Sequence, residues 1–188
     1  MAAQDRHLPG EQGVWVVILG ELTVFAAFFS AYLWARAQDP AVFEASQAHL
    51  SQGRAVVNTL LLLTGSLCVA AAVRAVRAGH RRSARPLLLG AVAGGVAFLL
   101  LKILEYHALL DAGFSPATND FFTYYFVLTW VHLLHLVVGM SILGFLSFLV
   151  RKEELTPREF GYLEGGGCFW HMVDALWIVL FPLLYLLR

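Results

Sequence analysis

Five long apolar stretches alternate with short polar connections along the chain, at about residues 14–35, 55–76, 86–110, 121–150 and 165–187. A helix that crosses the ~30 Å hydrocarbon core of a bilayer needs about 20 predominantly apolar residues, and each stretch reaches that length. Together they fill most of the chain and leave no room for a soluble domain. The pattern predicts an all-α integral membrane bundle of five transmembrane helices forming a single domain over residues 1–188. The first stretch is too long, and meets Glu21 too early, for a cleaved signal peptide, so it reads as a retained helix.

The connections carry recognisable stop and start signals. Asp39-Pro40, with Gly53 further on, suggests a short surface helix with aspartate at the N-cap, proline at the first helical position and glycine past the end. Thr156-Pro157-Arg158-Glu159 reads as a capping box that starts the last helix before it enters the membrane. Asn58-Thr59 and Thr64-Gly65-Ser66 in the second stretch are small or hydroxylic residues that let helices approach closely and hydrogen-bond across, and Gly90, Gly94 and Gly95 in the third and Gly165–Gly167 in the fifth allow close approach as well.

Composition narrows the function classes. Of 188 residues, 59% are hydrophobic and 14% charged, and 13 basic side chains balance 13 acidic ones, so no basic surface argues for nucleic acid. The two cysteines, Cys68 and Cys168, fall in different apolar stretches and form no CxxC or CxxCH, which suggests neither an iron–sulfur site nor covalent haem. Basic residues orient the bundle. Nine lie on one side (Arg6, then Arg74, Arg77, Arg81, Arg82 and Arg85, then Arg151, Lys152 and Arg158), against three on the other (Arg36, Arg54 and Arg188). The N-terminus is therefore expected in the cytoplasm and the C-terminus in the periplasm. The arginine-rich connection after the second stretch could bind anionic lipid; setting the topology is the reading adopted for it.

Charged and polar residues inside the spans are the candidate functional positions, because lipid makes them costly. Lys102 and Glu105, three residues apart near the outer end of the third helix, read as an ion pair whose lysine snorkels to the headgroups. Glu21 in the first helix lies about 10 Å deep from the inner side at 1.5 Å per residue. His171 and Asp174, one turn apart in the fifth span, lie roughly 8–14 Å deep, and His135 comes to roughly 10 Å. Glu21, His132, His135, His171 and Asp174 are therefore expected to form one buried polar cluster, with His132 about one turn nearer the midplane. Histidine pairs also ligate metal or haem, but the hydrogen-bonded layer is the reading adopted, with no metal and no cofactor. Glu164, Trp170 and Trp177 are read as lipid or partner contacts. Glu21 and Asp174 would also suit a small proton-coupled transporter, against which the chain shows no inverted repeat.

Several motifs together resemble subunit III of the haem–copper oxidase superfamily in its short five-helix form. They are Ile18-Leu19-Gly20-Glu21, Asn58-Thr59-Leu60-Leu61-Leu62-Leu63, Glu105-Tyr106, His132-x-x-His135 with Gly139, and Glu164 followed by Phe169-Trp170-His171-x-x-Asp174-x-x-Trp177. Phe43-Glu44-Ala45-Ser46 and Pro116-Ala117-Thr118-Asn119-Asp120-Phe121-Phe122 look closest to the NorE-type branch found with nitric oxide reductases, and the five-helix subunit III of quinol oxidases is similar as well. The resemblance implies an accessory subunit without haem or copper of its own. Such a subunit packs against the catalytic haem–copper subunit, holds phospholipid in a cleft and, in the oxidases, supports proton uptake. It also implies a bacterial plasma-membrane location and matches Glu21 to the family's buried carboxylate.

Overall fold

The computed structural model describes residues 12–152 and 154–187; Arg6 and Arg188, used above for orientation, lie outside the described residues. Those residues are helical throughout, in the order α1 (Gln12–Gln38), α2 (Pro40–Gln47), α3 (Gln52–Arg77), α4 (Arg81–Asp111), α5 (Asp120–Leu149) and α6 (Pro157–Phe181), closed by a π-turn (Pro182–Leu186). All but α2 are long and apolar enough to cross a membrane. The α3–α4 and α5–α6 connections share one end of the bundle, the basic end; α2 and the π-turn lie at the far end.

The polar residues at the helix ends explain where most helices begin. Asp39 accepts from the Val42 amide to cap α2, with Pro40 in the first turn. Asn119 accepts from the Phe122 amide to cap α5. Thr156 and Glu159 bond reciprocally as a capping box on α6. Two boundaries differ from the sequence reading. Gly53 does not end α2; it lies in the first turn of α3, because Ser51 takes the N-cap position and accepts from the Arg54 amide. Pro86 does not begin α4 either. The helix starts at Arg81 and carries Pro86 in its second turn, where the missing N–H removes a single bond near the helix end.

α6 is the most buried of the long helices and α1 the least. α6 contacts α1, α3 and α5, while α3 packs most extensively on α4. One side chain organises the centre. The indole of Trp170, from α6, fills a slot cut by a glycine on each of the three helices around it. A Cβ on Gly65 of α3 would lie 3.4 Å from Trp170 Cζ2, one on Gly95 of α4 3.2 Å from Cη2, and one on Gly139 of α5 3.2 Å from Cε3. One turn away, a Cβ on Gly166 would come within 2.6 Å of Leu146 Cδ1, so α5 and α6 touch backbone to side chain.

The far end of α6 is closed by donors from other elements. A helix leaves its last four carbonyls without intrahelical partners. Here Tyr32 OH donates to the Leu183 carbonyl (3.1 Å), Gln47 Nε2 to Leu184 (2.9 Å), Gln52 Nε2 to Tyr185 (2.9 Å) and Arg36 Nη1 to Leu187 (2.6 Å). Side chains of α1, α2 and α3 thus converge on one strip of backbone and lock the π-turn against the bundle.

The Trp170 slot gives a direct test. Gly139→Leu forces side-chain atoms into the indole and is expected to destabilise the fold by about 1–3 kcal/mol, read as thermal unfolding in mild detergent. Gly144→Ala on the same helix, where a Cβ meets nothing within 4 Å, should leave the unfolding temperature unchanged or raise it.

Candidate functional site

The polar residues predicted to form one layer are divided among separate helix seams. The most completely buried group centres on Lys102. Its ammonium donates to Tyr185 OH (2.6 Å), Tyr125 OH (3.1 Å) and Glu105 Oε2 (3.2 Å), which uses all three of its donors. Tyr185 OH in turn donates to Glu105 Oε1 at 3.0 Å. The ammonium also lies 4.9 Å from the Tyr125 ring centre and 5.2 Å from those of Trp177 and Tyr185, within cation–π range. The snorkelling expected of Lys102 is therefore corrected. Its side chain is 0% exposed and that of Glu105 1%, because two phenols and a carboxylate inside the bundle satisfy the ammonium where the headgroups would otherwise do so.

Glu21 of α1 meets His135 of α5, partly exposed, on the seam between those helices. His135 Nε2 lies 3.0 Å from Glu21 Oε2, and Nδ1 2.8 Å from the Val131 carbonyl. A carbonyl only accepts, so Nδ1 carries a proton and donates it. Nε2 then faces Glu21 either as a donor to a carboxylate or as an acceptor from a carboxylic acid. Both arrangements place one shared proton between the side chains. Phe25 packs its ring edge-on against His135 at 5.4 Å and covers the pair from the far-end side.

His171 and Asp174 lie on a different seam, between α6 and α3. His171 Nδ1 is 2.6 Å from Ser66 Oγ. Ser66 also neighbours Asp174, but neither Asp174 oxygen has a hydrogen-bond partner. His132 is separate again. It is fully buried, both ring nitrogens are unbonded, and its ring lies 5.3 Å from Trp177 and 5.7 Å from Phe98. The hydrogen bonds therefore do not join Glu21, His132, His135, His171 and Asp174 into one network. The shared depth read from the sequence places residues at a level along the axis, while helix rotation directs them to different seams. Among the described residues, no three His, Cys, Asp or Glu side chains converge as a metal-ligand set.

Glu164, Trp170 and Trp177 also need correction, since none of them offers a lipid-facing or partner-facing surface. Glu164 accepts from Arg77 Nη2 at 2.5 Å and joins α6 to α3 at the basic end. Trp170 fills the glycine slot. Trp177 is fully buried and donates from Nε1 to Thr59 Oγ1 at 3.0 Å. Trp170 buries inward because glycines on the facing helices leave room for it, and Trp177 because Phe98, His132 and Tyr185 pack against its ring and Thr59 accepts its N–H.

Sequence reasoning missed Tyr125, Tyr185 and Ser66 as members of these sites. Tyr125 and Tyr185 look like ordinary aromatics, and only the neighbouring Lys102–Glu105 pair, which requires buried partners if it does not snorkel, could have flagged them. Ser66 is expected from the sequence to hydrogen-bond across helices, and it does; what the sequence leaves out is that its partner is His171.

The Lys102 network can be dissected by cycle. Lys102→Met alone leaves the Glu105 carboxylate unpaired in the core and should cost about 3–5 kcal/mol. Lys102→Met combined with Glu105→Gln should recover most of that loss. Thermal unfolding of the purified chain in detergent reads both, and equal losses in the single and double variants would show that the pair is not coupled.

The chain as a whole is similar to known proteins. Residues 9–187 match the family described as cytochrome c oxidase subunit III. The chain is 27% identical over 182 residues to cytochrome bo(3) ubiquinol oxidase subunit 3 of Pseudomonas putida, covering 93% of this chain and 84% of that one. It is 28% identical over 176 residues to cytochrome c oxidase subunit 3 of Alkalihalophilus pseudofirmus, covering 93% and 85%. Against heme-copper oxidase subunit I+III of Aeropyrum pernix it is 28% identical over 179 residues, covering 92% of this chain and 22% of that longer one. With the match running from α1 through the π-turn, the chain belongs to the cytochrome c oxidase subunit III family.

Proposed function

We propose that the chain is an accessory, non-redox subunit of a respiratory haem–copper complex in a bacterial plasma membrane, seated beside the catalytic haem–copper subunit. The observation that carries this reading is the extent of the family match together with the relatives' own names. Two relatives, matched over most of their length, are named subunit 3 of a cytochrome bo(3) ubiquinol oxidase and of a cytochrome c oxidase, and a third joins subunit I to subunit III in its name. The bundle offers a suitable docking and lipid surface on α1. Val16, Val17, Leu19 and Val24 of that helix are exposed. Beside them an apolar groove of about 510 Å³ runs between α1, α5 and α6, lined by Val14, Val17, Ile142, Phe145, Tyr162 and Phe169 among others. It suits a phospholipid acyl chain. The basic end faces the cytoplasm in this reading.

Within that class, the partner proposed is a nitric oxide reductase. The support comes from the two stretches that resemble the NorE-type branch, which meet at the far end. Asn119 Nδ2 donates to Ser46 Oγ at 2.9 Å, and the Phe43 and Phe121 rings pack edge-to-face at 5.7 Å. These contacts are buried or partly buried and tie together motifs 73 residues apart in sequence, leaving Glu44, Ala45, Pro116, Ala117, Thr118 and Asp120 as their exposed members at the far end, where a partner would read them.

Purification of the full chain from its native membrane in mild detergent, followed by identification of co-eluting proteins, tests both levels. A co-eluting nitric oxide reductase is expected. A cytochrome c or quinol oxidase catalytic subunit instead would move the chain to the oxidase branch. Elution without any haem–copper subunit, from membranes that contain one, would overturn the accessory-subunit reading.

A further inference from the structure

The turn from α3 into α4 is abrupt. Gly79 takes φ +82, and the His80 amide donates back to the Ala75 carbonyl, so α4 begins at once. Its first residues are Arg81, Arg82 and Arg85, its first turn holds no acidic residue, and His80 at the N-cap supplies no side-chain hydrogen bond. This is the reverse of the ordinary arrangement. The N-terminus of a helix carries partial positive charge and is normally matched by acidic side chains. The neighbouring end of α5 adds Arg151 and Lys152. Together these residues, with Ser83 and Val150, line a cavity of about 910 Å³ that no carboxylate among the described residues lines.

Setting the topology requires only that basic residues lie on one side of the membrane near the spans. It does not require two helices to aim them at one cavity. Other cations at the same end show the alternative. Arg77 is bonded to Glu164, and Arg158 lies over the Tyr162 ring at 5.7 Å; neither lines the cavity. Within the cavity, Lys152 is engaged by Glu159, whereas Arg82, Arg85 and Arg151 make no ion pair with any described residue. What they leave unmatched is a concave, multi-guanidinium surface. Such a surface suits a tetrahedral oxyanion, because planar guanidinium groups pair with phosphate oxygens through parallel donors. The cavity opens where membrane-length helices end, at headgroup level, and Val150 supplies an apolar wall beside the charges.

We propose that this cavity binds the phosphate of an anionic phospholipid headgroup, held by Arg82, Arg85 and Arg151. The bound phosphate also compensates the uncapped N-terminus of α4, so occupancy fastens the basic ends of α4 and α5 to each other. The site is separate from the apolar groove beside α1, which has no cation among its described lining residues.

The test uses the full chain purified in neutral detergent and titrated with dihexanoyl-phosphatidylglycerol, with dihexanoyl-phosphatidylcholine and inorganic phosphate as separate arms. Binding is followed by thermal unfolding and by native mass spectrometry. Phosphatidylglycerol should bind and raise the unfolding temperature, and added salt should weaken the effect. Arg82→Gln/Arg85→Gln should reduce its affinity by about thirtyfold. The charge-matched control Arg74→Gln/Arg158→Gln, at the same end but outside the cavity, should not. If the double cavity variant fails to fold, Arg151→Gln alone provides the same comparison from α5 with a smaller loss. Equal weakening in cavity and control variants would reduce the site to diffuse surface charge and overturn the proposal. Equal binding of phosphatidylcholine would overturn it too, and binding of inorganic phosphate as tight as that of phosphatidylglycerol would make this a free-phosphate site.

Discussion

The indole of Trp170, from α6, packs at once against glycine positions of α3, α4 and α5. Lipid supplies no hydrophobic drive for helix association in a membrane, so packing and hydrogen bonds must supply it. A tryptophan in the middle of α6 would hold its neighbours apart unless each of them gave up a side chain at that level. Gly65, Gly95 and Gly139 do so. The indole is tolerated because they do, and Gly95 makes room for the Met140 side chain as well, whose Sδ a Cβ there would approach to 2.8 Å. With α3, α4 and α5 set by this contact, the helix rotations are fixed, and with them the seam into which every polar side chain points.

Those rotations account for the two kinds of polar site. Toward the far end, Lys102, Glu105, Tyr125 and Tyr185 point into the common interior of α4, α5 and the π-turn, where each charge finds a counter-charge and a phenol. The π-turn is itself held by Tyr32, Gln47, Gln52 and Arg36. A buried ion pair is weak evidence for stability in itself, because desolvation offsets the attraction. Its value here lies in specificity. Tyr185 OH accepts from Lys102 and donates to Glu105, so a shift of the α6 terminus by one residue would break both bonds together.

Much of this architecture was legible in the sequence, for identifiable reasons. Span length is set by bilayer thickness, so the five crossings could be counted. The caps at Asp39, Asn119 and Thr156 act within one turn, so local sequence reports them; Asp39 and Thr156 were read as caps, and Asn119 was available by the same logic. The pairing of Lys102 with Glu105 is an i,i+3 relation within one helix and visible for that reason. The surroundings of that pair were not visible, since Tyr125 and Tyr185 come from residues 23 and 83 positions away from Lys102. Depth counting likewise fixes position along the axis and says nothing of rotation about it. For that reason Glu21 and His135 meet, while His171 turns to Ser66 and His132 turns to Phe98 and Trp177. Trp170 and Trp177 escape sequence reading for a related reason: a tryptophan in a span suits lipid or core equally until its neighbours are located in space, glycines for Trp170 and Phe98, His132 and Thr59 for Trp177.

The uneven packing of α1 bears on what the fold is for. Four long helices bury their polar residues among themselves, but α1 touches the others lightly and keeps much of its apolar surface exposed. Its one internal charge, Glu21, is not hidden in the common core; it shares a proton with His135 at the edge of the bundle, under Phe25. A polar pair at that position is stable in hydrocarbon only while its two members stay together, so it acts as a clasp on the most weakly packed seam. A surface covering α1 would dehydrate this clasp further and tighten it; a helix drawn away from α5 would expose an unpaired carboxyl to lipid. The clasp thus makes the loosest helix sensitive to what lies against it.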